Sequence, residues 1–226
     1  MHLLKSVAGL LCAFCLSSYV FAGVMDVGEA KDYSDFKHKL EKIFEYHNPK
    51  RTLIVLDNDN TLTTMPQALG GDAWWNWQLS LLKDHPNSPD LVARDFNGIF
   101  QVQKVLFGLS KMNLTDPKHE TQVLTWLQDQ GAKIMILTAR GYPAYQETYD
   151  QLRAVHYEEI TKLNLEKNSL SFSGSHSLPL PFMSCDKSLT RPVAYFNGIY
   201  YGSGQNKGRL LQCLLPKSDQ AKTIDT

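Results

Sequence analysis

Two aspartates, Asp57 and Asp59, stand one residue apart directly after the short apolar run of residues 53–56. A run of this length and composition predicts a buried strand of a parallel sheet. In open α/β sheets chemistry takes place just beyond the carboxyl ends of the strands, where these two carboxylates fall. Burying both is unfavourable unless a divalent cation or a lysine neutralises them. The alternative interpretation is a plain turn, which Asn58 and Asn60 would suit.

Thr138 and Lys207 are two more polar side chains whose neighbours suggest chemistry. Residues 132–137 form a second apolar run that ends in the hydroxyl of Thr138, and Arg140 follows. Lys207 lies in a glycine-rich segment without the order of a Walker phosphate loop, because no Ser or Thr follows the lysine. That pattern favours a loop that delivers Lys207 at the start of a helix. The alternative is a solvated surface lysine.

Helices and strands alternate around these segments. Amphipathic spacing predicts a helix over residues 32–46. Asp116 and Gly131 have the positions of an N-cap and a C-terminal stop around another helix. Helix followed by strand predicts βαβ units and therefore a parallel sheet, with residues 52–57 central and residues 133–138 beside them.

The second half of the chain has one more helical segment and one clear hairpin signal. A helix is predicted over residues 143–155, and residues 161–190 show no period and are predicted to be irregular. Asn197-Gly198 between two β-rich runs predicts a hairpin over residues 192–201.

Three of the four tryptophans, Trp74, Trp75 and Trp77, are concentrated in one short segment. Helices are predicted around them, over residues 72–83 and 89–107. One interpretation is that the cluster packs one helix onto its neighbour. The other is that it forms a substrate wall over the carboxylates, because aromatic side chains suit apolar or ring-bearing ligands.

Composition limits the classes of protein that this chain can belong to. It has 226 residues with 23 basic and 23 acidic side chains, which suits one domain with an inserted subdomain. This balance gives no indication of nucleic acid or an anionic membrane as a partner. Cys185 and Cys213 would remain after removal of a leader, and they either form a disulfide or stay as two buried thiols.

Residues 1–22 have the charged, apolar and small-residue order of a secretory signal peptide. We expect cleavage after Ala22, with an uncleaved anchor as the alternative. The expected location of the mature domain, residues 23–226, is periplasmic or secreted, without stable membrane insertion after cleavage.

The string Asp57-Asn58-Asp59-Asn60-Thr61-Leu62 resembles the first motif of the haloacid dehalogenase (HAD)-like hydrolase superfamily. The strand that ends in Thr138, followed by Ala-Arg, resembles the second motif, and Lys207 resembles the third. The resemblance implies an α/β fold, a HAD-like Rossmannoid three-layer parallel sheet with a small helical cap insertion at about residues 64–116. The leader and short aromatic cap also resemble uncharacterised exported HAD-like proteins of intracellular bacteria.

The resemblance also implies roles for individual residues. Asp57 would be the nucleophile, and Asp59 would protonate the leaving group and then activate water. Thr138, Lys207 and Thr61 would bind the phosphoryl group, while Mg²⁺ would be held by Asp57 and by Asp59. The expected function is an exported magnesium-dependent phosphatase that acts through an aspartyl-phosphate on a small-molecule or phosphoprotein phosphate ester.

One part of the superfamily pattern is missing. A further strand ending in an acidic pair is expected after Lys207, but the residues beyond Leu215 are polar and contain no apolar run. We therefore expect a truncated form of an active enzyme, a metal held by fewer ligands, or a catalytically impaired protein that acts in binding or host interaction.

Overall fold

The secondary-structure elements follow the helix and strand alternation that the sequence predicts. The structure is a computed structural model that describes residues 29–224, so the predicted leader lies outside the described residues. None of the helices within that range is both long enough and apolar enough to span a bilayer. The elements are, in chain order, α1 (Tyr33–Phe44), β1 (Leu53–Leu56), β2 (Thr63–Thr64), α2 (Asp72–Asp84), α3 (Phe96–Leu109), β3 (Asn113–Leu114), α4 (Pro117–Gln130), β4 (Lys133–Thr138), α5 (Tyr145–Ala154), α6 (Tyr157–Thr161), α7 (Leu165–Asn168), β5 (Ala194–Phe196), β6 (Ile199–Tyr201) and α8 (Lys207–Leu214).

Four strands form the main sheet in the order β1-β4-β6-β5. Strand β4 pairs in parallel with both β1 and β6, and β5 pairs antiparallel with β6. The predicted α/β class is therefore confirmed as a mostly parallel, Rossmann-like sheet flanked by helices. The prediction that residues 52–57 are central is wrong within residues 29–224. There β1 lies at one end of the sheet, because β6 pairs with the far side of β4.

Helix α4 connects to β4 through the two capping signals in the sequence. The side chain of Asp116 accepts a hydrogen bond from the His119 backbone N–H at 3.2 Å. Gly131 ends the helix with φ of 81°, a left-handed conformation that glycine adopts without strain. The chain then enters β4 at once, since Lys133 N–H bonds to Thr52 C=O at 3.0 Å. The helices predicted over residues 32–46 and 143–155 are confirmed as α1 and α5.

Alternate residues of β4 face two separate parts of the core. Ile134 and Ile136 pack in the cluster that includes α1, α4 and α5. Met135 and Leu137 pack on the other face with the Leu210 side chain of α8. All four β4 side chains are fully buried, and each contributes about 1.5–3 kcal/mol relative to exposure. This two-sided burial explains why the segment reads as a continuous apolar run.

The predicted hairpin is confirmed. Asn197 and Gly198 connect β5 to β6 with φ of 47° and 77°, which is the pair of positive values that a type I′ turn requires. A Cβ atom at Gly198 would lie 2.8 Å from Ser169 Oγ, so the turn also needs glycine for close packing.

Residues 161–190 are irregular as predicted, apart from the end of α6 and the short helix α7. Cys185 in this segment forms a disulfide with Cys213 of α8, with the Cα atoms 5.4 Å apart. The structure thereby selects the paired state of the two cysteines. The bond joins the irregular segment to the helix that begins at Lys207.

Helices α2 and α3 lie in an excursion of the chain, which is the segment between the two short strands β2 and β3. Strands β2 and β3 pair antiparallel, with Thr63 opposite Leu114 and Thr64 opposite Asn113. The predicted insertion at about residues 64–116 corresponds to this excursion. The helix predicted over residues 72–83 is confirmed as α2.

The predicted start of the next helix is wrong, because α3 begins at Phe96 and not at residue 89. The Gln78 side chain of α2 donates to Asp90 C=O at 3.0 Å and accepts from Val92 N–H at 3.0 Å. These bonds hold residues 90–92 in an irregular conformation. The helix begins only where the Asp95 side chain can cap it.

Candidate active site

Asp57 and Lys207 form an ion pair at the carboxyl edge of the sheet. Lys207 Nζ lies 2.7 Å from Asp57 Oδ2, and the two side chains are 37% and 40% exposed. The other oxygen, Asp57 Oδ1, accepts a hydrogen bond from the Asn58 backbone N–H at 2.8 Å. The structure therefore brings two of the predicted site residues into contact and leaves both accessible to a ligand.

The turn after β1 is built around the buried residue Asn58. Its carbonyl accepts hydrogen bonds from the backbone N–H groups of Leu62 and Thr63, both at 3.0 Å. Thr61, a predicted phosphate-binding residue, lies in this turn, and its carbonyl accepts from the Tyr33 hydroxyl at 2.8 Å. The turn and the candidate site therefore coincide, because the hydrogen bonds to Asn58 fix the positions of Asp57 and Asp59 on either side of it.

Asp59 is held by Arg140 through two hydrogen bonds. Arg140 Nη2 lies 2.6 Å from Asp59 Oδ1, and Arg140 Nε lies 3.0 Å from Asp59 Oδ2. The guanidinium also donates to Thr148 and Gln151 at 3.0 and 2.6 Å, and lies 4.0 Å from the centre of the Phe107 ring. Arg140 was not predicted as a site residue, although its position just beyond the end of β4 was a usable signal.

Thr138 lies at the end of β4 with its side chain fully buried. Its hydroxyl oxygen accepts a hydrogen bond from the Arg140 backbone N–H at 3.1 Å, and its carbonyl accepts from Gly202 N–H at 2.9 Å. A Cβ atom at Gly202 would lie 2.8 Å from Leu210 Cδ1. The close approach of this glycine loop to β4 positions the start of α8, and with it Lys207.

Asp72 is a third carboxyl group near Asp57 and Asp59, and it is not among the site residues predicted from the sequence. It is the first residue of α2, and its Oδ2 accepts a hydrogen bond from Asn60 Nδ2 at 2.7 Å. Burial raises the pKa of Asp72, and the negative charges of Asp59 and Asp57 raise it further. Asp72 therefore holds a proton more readily than an isolated aspartate does.

The three tryptophans have different surroundings. Trp74 is buried at 7% exposure and packs within the helical excursion, whereas Trp77 is 45% exposed. Trp75 lines a cavity of about 500 Å³ that also includes Asp59 and Arg140 in its wall. Of the predicted substrate wall, Trp75 alone borders this cavity.

The two carboxylates that were predicted to hold magnesium contact cationic side chains in the structure. Asp57 Oδ2 is occupied by Lys207, and both oxygens of Asp59 accept hydrogen bonds from Arg140. Within residues 29–224, no group of three or more His, Cys, Asp and Glu side chains is placed to hold a metal ion. Magnesium binding by Asp57 and Asp59 therefore stays a prediction from the sequence.

The fold and the site define an α/β protein with ion-paired aspartates at the carboxyl edge of its sheet. Residues 29–222 match the family described as Protein of unknown function (DUF2608), and the chain belongs to that family. No curated protein and no solved structure matches the chain. The predicted membership of the haloacid dehalogenase superfamily, or of an exported family within it, is wrong, because the family that matches is a different one and no haloacid dehalogenase family does.

Proposed function

We propose that this protein hydrolyses phosphate monoesters, and that the Asp57 carboxylate attacks phosphorus to form an aspartyl-phosphate. The observation that carries the proposal is the 2.7 Å contact between Asp57 and Lys207 at the accessible carboxyl edge of the sheet. A carboxylate that is oriented and still reachable suits nucleophilic attack. The substrate is a small-molecule or phosphoprotein phosphate ester, and the signal-peptide pattern predicted in residues 1–22 supports action in the periplasm or outside the cell.

The first step forms a bond between an Asp57 carboxylate oxygen and phosphorus and breaks the ester P–O bond. The Lys207 ammonium stabilises the negative charge that gathers on the phosphoryl oxygens in the transition state. The departing oxygen takes a proton as it leaves. Water then attacks phosphorus of the aspartyl-phosphate, which releases phosphate and restores the Asp57 carboxylate.

Two acids are candidates for the proton that the leaving group needs. Asp59 is the one predicted from the sequence, but Arg140 must release at least one of its oxygens before it can act. Asp72 is the second, because burial and the nearby carboxylates raise its pKa and so favour its protonated form. Both line the same cavity.

A second candidate function is binding without turnover. The two hydrogen bonds between Arg140 and Asp59 favour it, because they occupy the acid that the reaction would use. In that case the protein would retain a phosphate ester at Lys207 and would not cleave it.

Rapid acid quenching tests the proposal. The purified protein is mixed with para-nitrophenyl phosphate, with and without magnesium, and its peptides are examined by mass spectrometry. We expect one phosphoryl group on the peptide that contains Asp57, and its removal by hydroxylamine. Turnover without label at Asp57 would contradict the mechanism, whereas calorimetric binding of the ester without any hydrolysis would select the binding function.

Comparing Asp59→Asn with Asp72→Asn on esters of poor leaving groups identifies the proton donor. Loss of the donor should slow hydrolysis of these esters most, because they depend most on protonation of the departing oxygen.

A further inference from the structure

The cavity that Asp59 and Asp72 line also has a cluster of aromatic side chains in its wall. Trp75 of α2 lies with its ring centre 5.4 Å from that of Phe96 and 6.4 Å from that of Phe100, both in edge-to-face orientation. Phe100 also packs against the segment that follows Arg140, since a Cβ atom at Gly141 would lie 2.8 Å from its ring. The aromatic rings therefore share one cavity with Asp59 and Arg140, and they suit a planar apolar group.

Arg191 adds a positive charge to this wall. Its guanidinium donates to Gly204 C=O at 3.0 Å and lies 5.8 Å from the centre of the Phe96 ring. No carboxylate within residues 29–224 forms an ion pair with Arg191, which is exposed and lines the same cavity. Arg140, the other arginine of the wall, is already matched by Asp59.

An uncompensated arginine next to aromatic rings is a recognition element for an anion. Guanidinium groups retain several N–H donors in a planar fork, which suits carboxylate and phosphate oxygens. The phosphoryl group of a substrate would be bound at Lys207, so Arg191 is free to bind a second acidic group.

From this arrangement we infer that the preferred substrates are phosphate esters whose leaving group carries an aromatic ring and a second anionic group. The ring lies against Trp75 and Phe96, and the second anion is bound by Arg191. This inference rests on the proposed phosphatase function and names its substrate class. It is tested by one kinetic experiment and by one binding experiment that does not require turnover.

The kinetic experiment compares three esters on the full-length protein: para-carboxyphenyl phosphate, phenyl phosphate and glycerol phosphate. We expect kcat/KM to fall roughly tenfold from the first ester to the second, as the second anion is removed. It should fall again for glycerol phosphate, which lacks the ring and also has the poorer leaving group. Arg191→Gln should bring the ratio of the first two esters close to one. The matched control is Arg153→Gln, because Arg153 is also exposed and lies 6.0 Å from an aromatic ring, that of Tyr149, away from the cavity. It should keep the wild-type ratio.

The binding experiment uses para-hydroxybenzoate, the product without its phosphate, in isothermal titration calorimetry. Arg191→Gln and Trp75→Leu should each weaken binding about tenfold or more, whereas Arg153→Gln and Trp77→Leu should not, with unfolding temperatures measured for all four. Binding with this dependence but no hydrolysis of any ester would overturn the phosphatase function and support the ligand class. Hydrolysis of all three esters at similar kcat/KM, without product binding, would overturn the inference and leave the function standing.

Discussion

The two aspartates that follow β1 are paired with cations in opposite kinds of surroundings. Asp57 meets Lys207 where both side chains are more than one third exposed. Asp59 meets Arg140, whose side chain is only 3% exposed and which also bonds to Thr148 and Gln151. Asp57 and Asp59 are thus only two positions apart in the sequence, yet the first belongs to an exposed ion pair and the second to a largely buried one.

This difference indicates separate tasks for the two pairs. An exposed pair contributes little to folding and can exchange its partners for a ligand, since its charges are already solvated. A buried pair with several hydrogen bonds is costly to break, because the partner that remains is left without compensation. We therefore expect the Asp57 pair to govern chemistry and the Arg140 pair to govern the shape of the site.

Asp57→Asn should have the largest effect on activity. Loss of the nucleophile should reduce hydrolysis of an aryl phosphate by on the order of 10⁴-fold or more. The unfolding temperature should change little, because an amide fits the same position. The control is Asp129→Asn, which changes an exposed aspartate on α4. Equal activity in Asp57→Asn and the wild type would mean that another group carries out the chemistry.

Lys207→Gln should reduce kcat by about 10²–10³-fold, because it removes the positive charge next to the transferred phosphoryl group. The free energy of unfolding should change by less than about 1 kcal/mol, as for other exposed pairs. Steady-state kinetics and urea unfolding measure the two quantities, with the exposed Lys217→Gln as the control. A large loss of stability in Lys207→Gln would remove the distinction between the pairs.

Arg140→Gln should lower the free energy of unfolding by about 3 kcal/mol. It leaves Asp59 without its cation and removes hydrogen bonds to Thr148 and Gln151. Urea unfolding followed by circular dichroism measures this loss. The matched control is Arg209→Gln, which breaks an exposed arginine–aspartate pair and should leave the midpoint nearly unchanged. Similar midpoints for the two variants would show that burial of the Arg140 pair does not matter.

Glu120→Gln sharpens the comparison, because Glu120 is fully buried and has no cation partner within residues 29–224. Burial raises the pKa of Glu120 from 4.5 to about 8. The folded state keeps a proton that the unfolded state releases, so stability should fall as pH rises from about 4.5 to about 8.

The free energy of unfolding of the glutamine variant should not fall in this way. At pH 8 it should be higher than that of the wild type by on the order of 1–3 kcal/mol. Urea titrations at several pH values measure it, and the exposed Glu159→Gln should retain the wild-type slope. A flat wild-type profile would show that Glu120 is ionised in the folded protein.

Signals that act over a few residues predicted much of the fold. Asp116 and Gly131 set the ends of α4, and Asn197-Gly198 set the hairpin, because each acts on backbone within a few residues of itself. The start of α3 could not be found in this way. It depends on the Gln78 side chain, which belongs to a different helix. The end position of β1 in the sheet likewise depends on pairing between distant strands.

The candidate site shows the same division. The residues around Asp57 predicted its position at the end of a strand, and those around Lys207 predicted its position at the start of a helix. The contact between Asp59 and Arg140 joins residues 81 positions apart, and no local pattern specifies it. The same limit applies to the wrong family assignment, which rested on short strings around Asp57, Thr138 and Lys207, whereas the family that matches is defined over residues 29–222.

The disulfide between Cys185 and Cys213 closes a covalent ring that contains β5, β6 and Lys207. Because the two cysteines are 28 residues apart, the ring restricts the unfolded chain by on the order of 3–4 kcal/mol of loop-closure entropy in the chain-entropy model. Asp57 and Arg140 lie outside that ring. One side of the candidate site is thus restrained even in the unfolded chain as long as the disulfide is intact, and reduction of the bond would remove this restraint.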